Sequence, residues 1–271
     1  MRYIVFFFIL TSSICYSQSE KEIFIRYNLY NTEERVSFSQ KDYQNYFLLT
    51  PGYFLYKNSI DLKVLSKTIE AWFPDKRDNS YLVIDWERDY FKNLKKGRNT
   101  KDFKKSEKAF MYLIKLIKDL RPNLKIGIYG IPFRFNYSFQ EIDDLEKFTT
   151  LLLECDFIAP SLYLSFLNVN SNKKFLENNL EQTFKLASKL KKPVIPFFWY
   201  MHVNQNNTVI VDKDNMDLYL NYIYSYKYLE KESVFGLFWW DAASISHIIH
   251  SKSAQEKNIL ERIDILKYYN F

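Results

Sequence analysis

The chain has 271 residues, 47% of them hydrophobic and 19% aromatic, with only 5 Gly and a formal net charge of +6 at pH 7. That balance excludes a disordered or fibrous chain and supplies enough apolar material for one large α/β domain. Cys15 and Cys155 are the only cysteines, and a fold built on disulfides is excluded with them.

The N-terminus reads as an export signal. Arg2 gives it a positive start, Tyr3–Leu10 is an apolar run, and residues 11–18 turn small and polar. This layout is that of a secretory signal, too short to span a bilayer. Cleavage after Ser17 is expected, leaving residues 18–271 as one domain, secreted or periplasmic, with Cys155 as its single thiol. A lipid anchor at Cys15 is the weaker alternative, because bulky Ile14 occupies a position where a small residue is expected. No second apolar stretch is long enough for stable membrane insertion.

Short apolar stretches then alternate with longer ones of helical spacing. Residues 22–30 read as a first strand, and 46–56 hold another, broken by Pro51 and Gly52. Residues 59–74 carry Leu62, Leu65, Ile69 and Phe73 on one side of a helix that Pro74 stops. The stretch YLVIDWERDY, residues 81–90, begins as a buried strand and meets two acids. Alternation predicts Val83, Asp85 and Glu87 on one face, with Leu82, Ile84 and Trp86 on the other. Residues 101–123 form the clearest helix, with Phe103, Phe110, Leu113, Ile117 and Leu120 on one face. Further strands are expected at 124–133, 156–164, 194–202 and 234–243, and helices at 140–154, 174–193, 214–230 and 253–269. Alternation at this spacing predicts parallel strands with crossover helices, in a single (β/α) TIM-like barrel of seven to eight units, with some distortion allowed.

Residues 92–105 hold seven basic residues against one acid. A basic run is most often a solvated face, but this one directly follows the acidic strand end, where it would attract a polyanion. No nucleic-acid motif accompanies it. In a barrel of this class, functional groups gather at the C-terminal ends of the strands. Asp85, Glu87, Tyr129, Tyr163, Trp199, Tyr200, Trp239, Trp240 and Asp241 all fall at such ends. Flat aromatic faces stack on sugar rings and carboxylates do the bond chemistry, so a polysaccharide is the expected partner. No cofactor is implied. His202, His247 and His250 lack the partners and spacing of a metal motif. Asn206 fits the glycosylation pattern, with no function assigned to it.

VIDWE, LRPNLKIGIYGIP, APSLY and VFGLFWWDAAS occur in that order. They resemble corresponding segments of the hyaluronidases of the animal and venom type, glycoside hydrolase family 56, here in a divergent, bacterial-like secreted form. NTKDFKKSEKAF also resembles the helix after that family's acidic motif, and the likeness runs from about residue 22 to 250. It implies a distorted barrel and an endo-β-N-acetylhexosaminidase acting on glycosaminoglycans such as hyaluronan or chondroitin. It implies substrate-assisted retaining chemistry, in which the sugar's N-acetyl oxygen attacks the anomeric carbon. Glu87 matches the acid and Asp85 the carboxylate that orients the acetamide. The sequence departs from the family at three places. Tyr90 and Phe91 replace an Arg-Pro pair, Ala159 replaces a Tyr, and Phe197 stands where a Tyr is frequent, leaving Tyr200 as the hydroxyl. The family's disulfides are missing. A lysozyme-like peptidoglycan hydrolase and a weakly active glycan-binding protein of the same fold are the alternatives.

Overall fold

A computed structural model of the protein describes residues 22–26, 43–135, 145–199, 202 and 211–240. The proposed signal segment, residues 27–30, the closing helix at 253–269, Asn206, Tyr200, Asp241, His247 and His250 lie outside the described residues.

Strands β1 (Glu22–Arg26) and β2 (Tyr43–Leu49) are followed by a 3₁₀ turn at Pro51–Tyr53 and a small hairpin, β3 (Leu55–Tyr56) and β4 (Ser59–Ile60). Helix α1 (Leu62–Trp72) leads into β5 (Tyr81–Ile84), a short α2 (Asp89–Asn93) and the long α3 (Lys101–Leu120). Then come β6 (Lys125–Ile128), a 3₁₀ turn at Leu145–Phe148, α4 (Thr149–Leu153), α5 (Val169–Leu190), β7 (Phe197–Phe198), α6 (Lys213–Ser225) and β8 (Gly236–Trp239). Six strands form one sheet in the order β6-β5-β2-β1-β8-β7, every pairing parallel. The fold is mixed α/β.

The helices begin where their capping residues direct. Asp61 accepts from the Val64 N–H at 3.0 Å, Thr100 from Phe103 at 3.2 Å, Asn168 from Ser171 at 3.1 Å and Asp212 from Asn215 at 3.0 Å. Each satisfies a backbone donor that the first helical turn leaves open. α3 buries Phe103, Phe110, Leu113 and Ile117 as its period requires. α1 buries Leu65 and Ile69 but leaves Leu62 at 52% exposure. Arg121, buried at the end of α3, donates to the carbonyls of Phe73 and Leu120 and so ties the ends of α1 and α3 together.

Two expected strands are largely irregular. Residues 156–164 contain no ladder strand, and 194–202 shrinks to Phe197–Phe198. Pro160 and Pro196 fall in these stretches, Pro193 stands just before the second, and proline cannot donate to a ladder. Residues 156–162 nonetheless bridge β6 and β7. Asp156 N–H donates to Ile126 at 2.7 Å, Gly130 to Ala159 at 2.8 Å, Ile158 to Pro193 at 2.9 Å and Phe197 to Pro160 at 2.8 Å. Isolated parallel bridges pair Tyr129 with Ala159, Ile158 with Val194 and Ser161 with Phe197.

Leu82, Val83 and Ile84 are all buried, so β5 is covered on both faces, as a parallel sheet flanked by helices requires. One face packs rings from strands that are not neighbours: Tyr46 lies 5.6 Å from Phe197 and 4.8 Å from Phe238, and Phe157 lies 5.5 Å from Phe238 and 5.6 Å from Tyr81. Gly127 makes room for Phe157, because a β-carbon there would come within 2.2 Å of its ring. Gly127→Ala is therefore expected to cost about 1–3 kcal/mol through overpacking. Gly52→Ala, with nothing within 4 Å of the added carbon, should stay within about 0.5 kcal/mol of neutral. Urea denaturation of the two variants checks the contrast.

Candidate functional site

The site grows from the end of β5. The Asp85 N–H still donates to Leu49 at 3.0 Å, continuing the pairing with β2 for one residue. Trp86 then turns inward, with its ring 5.0 Å from Phe54, 4.6 Å from Tyr90 and 5.1 Å from Phe110. The Arg88 N–H donates to Trp86 at 2.8 Å, and the chain bends into α2. The strand stops at Ile84, so the expected alternation does not extend to Glu87. A turn anchored by a buried indole, rather than the strand's pleat, presents that acid at the rim.

Neighbouring strand ends complete the surroundings. The Tyr129 N–H donates to Ile84 at 3.0 Å, which sets the end of β6 beside that of β5. The Tyr129 hydroxyl is 3.3 Å from Ser161 Oγ, and its ring is 6.1 Å from Tyr163 and 5.0 Å from Phe197. Tyr163 packs 5.6 Å from Trp199, and Trp239 packs 5.0 Å from Phe198 while its carbonyl accepts from the Tyr46 hydroxyl at 3.0 Å. Tyr163, Trp199 and Trp239 are only 5, 6 and 4% exposed. They pack into the hydrophobic core rather than stand as free platforms. Tyr129 and Trp240 are half-buried. Asp85 is half-buried and Glu87 is exposed as a residue.

The electrostatics tie Glu87 to this group. Protein atoms crowding its carboxyl raise its pKa, and the charges of Arg134 and Lys95 oppose that rise. The Tyr129 hydroxyl is pushed up to about 12, first by burial and next by the Glu87 charge. Tyr163 rises well above its ordinary value, mainly by burial. His202 is also buried, which lowers its pKa despite Asp212 nearby. Among the described residues no group of three or more His, Cys, Asp or Glu gathers to hold a metal ion, and no helix is long and apolar enough to cross a membrane.

Arg134 was not among the residues singled out by sequence. It lies two positions past Pro132, with its guanidinium 5.7 Å over the Tyr163 ring. Lys95, one residue within the basic run, places its ammonium 5.2 Å from the Phe133 ring. The one legible signal for Arg134 is a cation inside an aromatic run just beyond a strand end.

The raised pKa of Glu87 has a consequence for stability. The folded protein keeps this proton to higher pH than the unfolded chain. The associated stability is fully present below the unfolded pKa and is lost as pH rises through the folded one. Glu87→Gln should therefore melt higher than the unsubstituted protein at pH 7, with the gap closing toward pH 4. Thermal denaturation at the two pH values checks this.

No family model matches the sequence, and no curated protein matches it. The structure is similar to bee venom hyaluronidase, with a TM-score of 0.66 at 17% identity, covering 90% of this chain and 98% of that one. The same enzyme in complex with a hyaluronic acid tetramer matches with a TM-score of 0.66 at 16% identity, covering 92% of this chain and 96% of that one. At such identity the likeness is one of fold.

Proposed function

We propose that the protein is a secreted endo-β-N-acetylhexosaminidase, a divergent relative of the family 56 hyaluronidases, that cleaves glycosaminoglycans such as hyaluronan or chondroitin. The observation that carries this reading is Glu87: a carboxyl with a raised pKa just beyond the end of β5, in electrostatic reach of Arg134, Lys95 and the buried Tyr129 hydroxyl at the end of β6. The fold's similarity to bee venom hyaluronidase supports it. We read the sheet and its bridge through 156–162 as a distorted barrel of seven strands, because rings from non-neighbouring strands meet on one face. Residues 1–17 act as the export signal in this reading, and 18–271 as the hydrolase domain.

Glu87 donates its proton to the leaving glycosidic oxygen as the acetamide oxygen of the same sugar bonds to the anomeric carbon and the glycosidic bond breaks. Asp85 holds the acetamide N–H and offsets the positive charge that develops on it. Water, giving its proton to Glu87, then attacks the anomeric carbon and reopens the ring, so the configuration is retained and the acid is restored. Burial suits Glu87 to this cycle, since it keeps the donor protonated closer to neutral pH. Tyr129, Tyr163, Trp199, Tyr200, Trp239, Trp240 and Asp241 bind the sugar in this scheme. The basic segment at 92–105 favours a polyanion.

Ala159 favours a second reading, a glycan-binding protein with little turnover. It is fully buried in a bridge with Tyr129, at the position where the resemblance expects a tyrosine. Incubation with hyaluronan, chondroitin and purified bacterial wall, counting new reducing ends, separates the readings. Glycosaminoglycan cleavage is expected. Wall clearance without it would establish a peptidoglycan hydrolase, and binding without cleavage the glycan-binding protein. Glu87→Gln should lower the rate constant by about 10²–10⁴-fold with binding nearly unchanged, the typical worth of general acid catalysis. Asp85→Asn should also slow turnover without unfolding the protein.

A further inference from the structure

Arg134 is held with more care than a surface arginine needs. The next residue, Phe135, is clamped by Asn179 of α5: its N–H donates to Asn179 Oδ1 at 2.9 Å, and Asn179 Nδ2 donates back to the Phe135 carbonyl at 2.9 Å. Asn179 is itself buried, at 4% exposure, and its amide also donates to Phe175 at 2.7 Å. The Tyr163 ring lies beneath the guanidinium, and Tyr163 is fixed between Tyr129 and Trp199. Nη1 of Arg134 is nevertheless buried with no hydrogen-bond partner among the described residues. A buried guanidinium donor left open is costly. Fixing it from two sides raises that cost unless a partner arrives from solution.

We propose that Arg134 is a specificity-determining residue that binds the carboxylate of a uronic acid in the substrate, beside the glycosidic oxygen that Glu87 protonates. The assignment rests on the glycosidase reading above. A guanidinium presents paired N–H donors that match the two oxygens of a carboxylate, and its contact with Tyr163 leaves the donor edge for the ligand. A neutral sugar hydroxyl would satisfy the donor but, with Glu87 protonated for catalysis, leave the positive charge without a counterion in a partly buried site.

Occupancy of Arg134 also bears on the acid. Its charge is the larger of the two that hold the Glu87 pKa down. A bound carboxylate neutralises that charge, so Glu87 keeps its proton to higher pH in the complex than in the free protein. Anionic substrate thereby favours the protonation state that its own cleavage requires.

The test uses hyaluronan oligosaccharides and the same oligosaccharides with their carboxyl groups reduced to alcohols. Binding is measured by calorimetry in the Glu87→Gln protein, and in that protein further changed by Arg134→Gln or Arg134→Lys. Arg134→Gln should weaken native oligosaccharide about tenfold or more, the scale of a charge-assisted hydrogen bond, and leave the reduced form within about twofold. Arg134→Lys should lie between, because it keeps the charge and loses the fork; if the glutamine variant does not fold, this comparison carries the test. In the otherwise unsubstituted enzyme, the basic limb of the kcat profile should lie above that of kcat/KM, and Arg134→Gln should move the kcat/KM limb to higher pH, because the charge that holds Glu87 down in the free protein is gone. Equal loss on native and reduced oligosaccharide, or no loss on either, would overturn the assignment alone. Binding of neither oligosaccharide by the parent Glu87→Gln protein would overturn the glycosaminoglycan reading and the assignment with it.

Discussion

The Trp86 indole packs among Phe54, Tyr90 and Phe110, and the residues on either side of it have only the rim left to occupy. Burying an aromatic side chain of this size is among the larger single contributions to a core, about 3–5 kcal/mol when it is truncated. It is placed just after β5 ends, where the parallel sheet has no more ladder to offer. Asp85 keeps one last bond to Leu49 and Glu87 falls on the turn. The position of the acid is therefore set by core packing, and the site inherits the rigidity of the core.

Charge placement follows from that geometry. A carboxyl crowded by protein gains a raised pKa at the expense of stability, and a cation beside it works in the opposite direction. Here both are present, and burial is the larger influence. Lys95 belongs to the basic segment that follows the acidic turn directly in sequence, whereas Arg134 comes from beyond β6 and is fixed by α5 through the Asn179 clamp on Phe135. Two cations from different parts of the chain thus act on one acid.

Much of this was legible in the residues. The apolar period of 101–123 gives the buried face of α3, and the acidic strand end stands out against the apolar residues before it. Other features depend on tertiary packing that no local pattern encodes. Leu82, Val83 and Ile84 are all buried because helices and neighbouring strands cover both faces of β5, which hides the alternation that a half-exposed strand would show. Residues 156–162 bridge two strands without forming a regular ladder, since prolines interrupt donors that the apolar composition promises. Arg134 escaped notice because its significance lies in the Tyr163 ring beneath it and in the Asn179 clamp on its neighbour, both far away in the chain.

The proposed chemistry requires a sugar acetamide against Asp85 while Glu87 faces the glycosidic oxygen. A crystal structure of the Glu87→Gln protein with a hyaluronan tetrasaccharide tests it most directly. The acetamide N–H should be hydrogen-bonded to Asp85 and its carbonyl oxygen turned toward the anomeric carbon. The side-chain amide introduced at position 87 should lie within hydrogen-bond reach of the glycosidic oxygen. A tetrasaccharide seated away from β5, or an acetamide turned away from Asp85 with water between that carboxylate and the anomeric carbon, would contradict it.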